Sequence, residues 1–166
     1  MELPGSGLFY ALAALSMAFV SFTSIVVVLR QATGKPFSPL HILFTRLFCE
    51  MGLMATAFAM LAPVLAICGV SEDLVWRISS AVAVVLLVSW LAFFPVRRKG
   101  AAPDEILPLR FYVLIILGSF AVVALSMNVV GVPFKPGPGP LAIAAVYALC
   151  IAIVVFLRTY SSFLRD

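Results

Sequence analysis

The chain has 166 residues, 64% of them hydrophobic and 11% charged, with a mean hydropathy of +1.19 and a formal net charge of +4. Soluble domains carry about 25% charged residues, and a chain this short builds only one small core, so most of these apolar side chains would face water. A water-soluble globular fold is thereby excluded, and lipid is the solvent this composition suits.

Five runs reach the length of about 20 mostly apolar residues that a helix needs to cross the hydrocarbon. The first, 8–29, follows an acidic start at Glu2 and is longer than the apolar segment of a cleavable signal peptide, so it reads as a retained span. Arg30 and the turn-forming "QATGKPFSP" close it. Within it Ser16 and Thr23 lie seven apart on one helical face. Together with Asn128 of the fourth run they are candidates for the polar lining of a pathway, although hydroxyls in membrane helices also bond to neighbouring helices or to their own carbonyls. Interhelical bonding is the preferred expectation.

The second run, 40–70, contains Pro63, where one lost backbone hydrogen bond predicts a kink. Near its start stands "HILFTRLFCEMG", which places Arg46 and Glu50 inside an apolar stretch. Ionisable groups within a span cost about 2.5 to 3.5 kcal/mol each on the insertion scale. A spacing of four puts these two on one face, where they neutralise each other. Entry into the hydrocarbon at Leu40 would put Glu50 about 15 Å deep, near mid-membrane. The stretch 47–69 is itself long enough to cross, however, which leaves Arg46 snorkelling and Glu50 within about one turn of the interface. The run is too long for a straight crossing, so the shallow placement is favoured. His41, the one histidine, reads as a polar residue at headgroup level. Further along, Ala55, Ala59, Ala62 and Ala66 form a small-residue stripe suited to close helix packing.

The third run, 78–96, has Pro95 at its edge and stops at the basic "RRKGAAPDE", which reads as a loop. Trp76 just before it, like Tyr10 and Tyr160 at other predicted boundaries, has the position of an interface anchor. In the fourth run, 111–130, Gly118, Ala121 and Ala124 recur every third residue and so drift around the helix. After "GVPFKPGPGP" the fifth run, 141–157, carries Ala144, Ala148 and Ala152 at a spacing of four, a second small-residue face.

With five spans, Arg30, Lys35, Arg97, Arg98, Lys99, Arg110, Arg158 and Arg165 share one side, and only Arg77 and Lys135 are basic on the other. The positive-inside rule then predicts a cytoplasmic carboxyl terminus and an amino terminus outside. That face accounts for the net charge without any nucleic-acid partner. The three cysteines, Cys49, Cys68 and Cys150, lie in spans without CxxC spacing and read as small hydrophobes. No GxSxG, HExxH, Walker or GxGxxG motif occurs, and one histidine with one intramembrane glutamate is a poor catalytic set.

The sequence therefore predicts an all-α integral membrane protein, one domain over 1–166, multi-pass in the inner (plasma) membrane, with no catalysis, cofactor or metal. The expected role is an accessory or scaffold subunit of a larger membrane complex, or a homo-oligomer, associating through the alanine faces of spans two and five. The alternative is a small ion or proton channel or transporter that uses Glu50 and Arg46, lined by Ser16, Thr23 and Asn128.

Overall fold

A computed structural model describes residues 3–32, 39–101, 109–133 and 135–163. These form five α-helices and no strand: α1 (Ser6–Ala32), α2 (Pro39–Ile67), α3 (Glu72–Ala101), α4 (Leu109–Val130) and α5 (Pro138–Phe163). All five are long and apolar enough to cross a membrane, compatible with a multi-pass membrane protein. Helix is the form these runs take because hydrocarbon offers no partner for backbone N–H and C=O groups, which must then bond within the segment. Glu2, Lys35 and Arg165 of the charge asymmetry lie outside the described residues, as do the side chains of Arg30, His41, Arg110, Arg158 and Tyr160.

Two of the helices, α2 and α4, end at a glycine cap. α2 stops at Ile67, short of the predicted residue 70, because Gly69 adopts a left-handed φ of +80°. The Gly69 N–H donates to the Ala66 carbonyl and the Val70 N–H to the Leu65 carbonyl, the paired bonds of a Schellman motif. α4 ends in the same way at Gly131 (φ +79°), where Gly131 and Val132 both donate to the Met127 carbonyl. Within α2 the helix continues through Pro63, which forgoes only its own bond to the carbonyl four residues back.

α3 departs most from expectation. It starts six residues before the predicted span, with the Ser71 carbonyl accepting from the Val75 N–H. Glu72 and Asp73 occupy the first turn, where negative charge suits the helix dipole. It then runs through Pro95 to Ala101, so Arg97, Arg98 and Lys99 are helical and not loop residues. Cations in a last turn are favoured by the same dipole.

α5 lies at the centre and touches all four other helices, whereas α1 packs chiefly on α2. The most extensive helix pair is α2 with α5. Ala55, Ala59 and Ala62 of α2 and Ala144, Ala148 and Ala152 of α5 are all fully buried, and Ala66 is half-buried. The two alanine faces are therefore consumed inside the chain and are not free to receive a partner. Small residues serve here because lipid supplies no hydrophobic drive between helices, so close backbone approach and packing must hold them. At the α1–α2 crossing Gly52 does the same work: a Cβ there would overlap the Val20 side chain.

The buried face of α4 is Phe111, Gly118, Ala121, Leu125 and Asn128, alternating steps of three and four, so Ala124 is not the residue that continues the stripe. Trp76 is also not an interface anchor. It is fully buried, its ring 5.9 Å from that of Phe9. The outward faces are bulky and apolar, as on α4 with Tyr112, Ile116, Phe120, Val123 and Met127.

Candidate functional site

The charged residues of α2 and α3 converge at one end of the bundle. Arg46 and Glu50 share a face of α2, and the Arg46 Nε donates to Glu50 Oε1 at 2.7 Å. From α3, Arg97 Nη1 donates to both carboxylate oxygens, at 2.9 Å to Oε1 and 2.7 Å to Oε2. One carboxylate thus holds two guanidiniums, leaving one net positive charge. Side-chain exposure is 27% for Glu50, 36% for Arg97 and 63% for Arg46, so the Glu50–Arg97 contact is the more sheltered of the two.

Counting about 20 residues of helix to a hydrocarbon layer about 30 Å thick, α2 measured back from Ile67 leaves the hydrocarbon near Leu47. α3 measured from the apolar start at Ile78 leaves it near Arg97. On both counts Glu50 would lie within about one turn of a membrane surface, the depth expected for the shallow placement.

The adjacent Arg98 turns the other way. Trp90 stacks on Phe94 (centroids 5.2 Å apart) and Phe94 on Phe111 of α4 (5.6 Å), and the buried Arg98 guanidinium lies 5.5 Å from the Phe111 ring centroid. Consecutive helical residues point about 100° apart. Arg97 therefore reaches α2 while Arg98 covers α4, and the "RR" pair fastens the end of α3 to both neighbours.

Asn128 sits toward the opposite end and is occupied differently from the expected pathway lining. Its Nδ2 donates to Ser80 Oγ (2.8 Å) and to the Gly137 carbonyl (3.0 Å), and its Oδ1 accepts the Gly137 N–H (2.9 Å). It thereby clamps the peptide that leads into α5. At that end Arg77 also donates to the Val129 carbonyl at 3.3 Å, covering an orphan acceptor in the last turn of α4.

Ser16 and Thr23 are buried on α1, and α1 and α4 do not pack on each other among the described residues, so the three candidate lining residues are not brought together. Several hydroxyls bond within their own helix instead of linking helices. Thr23, Ser24, Thr56, Ser119 and Ser126 each donate to the carbonyl four residues back in their own helix. Among the described residues no group of three or more His, Cys, Asp or Glu side chains could hold a metal ion.

Two residues that carry this geometry escape a reading of the sequence. Arg97 looks like a loop cation because Pro95 precedes it, though the buried stripe Ala83, Leu87, Phe94, Arg98 does continue at helical spacing past the proline. Tyr147 looks like one aromatic among many. Its hydroxyl donates to the Leu114 carbonyl at 2.7 Å, and it rests where a Cβ on Gly118 would be. No protein-family model, curated protein or solved structure matches this chain.

Proposed function

We propose that this chain is a non-catalytic polytopic protein of the inner (plasma) membrane, acting as an accessory or scaffold subunit or as a homo-oligomer. The observation that carries this reading is the state of Glu50: both carboxylate oxygens are engaged by Arg46 and Arg97, which ties α2 to α3 at the bundle end. A group so held works as a clasp, and its position near a surface leaves the middle of the bundle to alanine and aromatic packing. Because the alanine faces of α2 and α5 are used within the chain, a partner meets the bulky outward faces of α1, α3 or α4. The end bearing Arg46, Arg97, Arg98 and Lys99 faces the cytoplasm, as basic residues do, which puts the amino terminus outside.

Native purification in mild detergent with mass measurement tests the reading. A defined oligomer or a stoichiometric partner is expected, and a lone monodisperse monomer would remove it. The alternative, a small channel or transporter working through Glu50 and Arg46, requires that Glu50→Gln abolish ion or proton flux in proteoliposomes. Flux indistinguishable from protein-free vesicles, in wild type and variant alike, is the expected result.

A further inference from the structure

A groove of about 370 Å³ opens between the second half of α4 and the start of α5, lined by Ala124, Met127, Asn128, Val132, Lys135, Gly137, Gly139 and Pro140. That volume lies at the lower end of the range for small-molecule sites, about 300 to 1,000 Å³. The sequence makes the space. Where α5 begins, "GPGP" supplies residues without long side chains, and the facing position on α4 is Ala124. A Cβ on Gly139 would meet nothing within 4 Å. The wall is also fixed, because Asn128 binds both the N–H and the carbonyl of Gly137.

The chemistry of the lining selects one kind of occupant. The amide of Asn128 is spent on Gly137 and Ser80, so the groove presents apolar walls. Its one charged side chain is Lys135, exposed and without an ion-pair partner among the described residues. Water is a poor filling for an apolar recess at the edge of a bilayer, and a hydrocarbon chain is a good one. We propose that this groove binds an anionic phospholipid, with part of one acyl chain between Ala124, Met127 and Pro140 and the phosphate on the Lys135 ammonium. A single cation beside a headgroup favours the anionic over the zwitterionic lipid by about fivefold.

The test uses the purified full chain incubated with mixed micelles of detergent and either phosphatidylglycerol or phosphatidylcholine, with bound lipid counted by native mass measurement. Wild type is expected to retain phosphatidylglycerol about fivefold over phosphatidylcholine. Lys135→Gln, a change at an exposed side chain, should bring that ratio to about one while some of each lipid stays bound. Gly139→Leu should fill the groove and reduce retention of both lipids, with helicity unchanged by circular dichroism. Equal retention of the two lipids by wild type overturns the proposal, as does retention that Gly139→Leu leaves intact. A change in oligomer mass on Gly139→Leu, with no change in bound lipid, also overturns it and assigns the groove to a second copy of the chain.

Discussion

Glu50 is the residue on which two helices depend, but its two partners are not equal. Arg46 is one turn away on the same helix and largely exposed, the situation in which an ion pair contributes a few tenths of a kcal/mol. Arg97 comes from another helix, engages both oxygens and is less exposed. A double-mutant cycle between Glu50→Gln and Arg97→Gln, followed by unfolding in sodium dodecyl sulfate, should give a coupling of about 1 kcal/mol. The same cycle with Arg46→Gln should give about 0.3 kcal/mol. Gly118 gives a second expectation. Gly118→Ala forces Tyr147 off its seat and should cost about 1 to 3 kcal/mol, as overpacking does. Tyr147→Phe removes only the bond to Leu114 and should cost about 0.6 kcal/mol. Both are read in the same unfolding assay. The Arg46–Glu50 pair is legible in the sequence because its geometry is local, fixed by 3.6 residues per turn. The Arg97 and Tyr147 contacts are not, since each depends on which helices become neighbours.

At the scale of elements, the positions of all five spans follow from hydropathy, and their ends do not. An apolar run stops where lipid stops; a helix stops where its last carbonyls or first N–H groups find partners. Gly69, Gly131 and Ser71 supply those partners, and in α3 the helix outlasts the run at both ends. Pro95 misled because proline usually ends a helix in water, whereas in α3 it removes one backbone bond and the chain carries on. The join between α4 and α5 depends on one side chain. Asn128→Ala would leave the Gly137 N–H and carbonyl and the Ser80 hydroxyl without their shared partner, at a cost of about 1 to 2 kcal/mol. Amide hydrogen exchange at Gly137 should quicken by about tenfold or more as the clamp is lost. Ser80→Ala, which leaves both Gly137 bonds in place, should change that exchange little.

For the whole molecule, five membrane crossings among the described residues would put the two ends of the bundle on opposite faces, and the native cysteines offer a way to read which is which. Cys68 is exposed beside Gly69 at the end of α2 away from the arginine clasp. Cys150 is exposed too, but twelve residues into α5, about 18 Å along the helix and facing hydrocarbon. Cys49 is half-buried. A membrane-impermeant maleimide needs thiolate and water, so intact cells should be labelled at Cys68 alone. Labelling of Cys68 only after permeabilisation would reverse the proposed orientation. The count of helices was legible because each run meets the bilayer's demand by itself. Their arrangement was not, because small-residue stripes say that a face is close-packed without saying against what.

The central place of α5 bears on how the protein is made. The helix that touches every other one leaves the ribosome after all four of them, following α4 by seconds at about 5 to 20 residues per second. Until it arrives, α2 lacks its most extensive partner. The earlier helices can pair with one another, α1 on α2 and α3 on both α2 and α4, and α5 then closes them as a keystone does. A chain cut short before α5 loses not one fifth of the bundle but the helix that touches all the others, and becomes a natural substrate for membrane quality control.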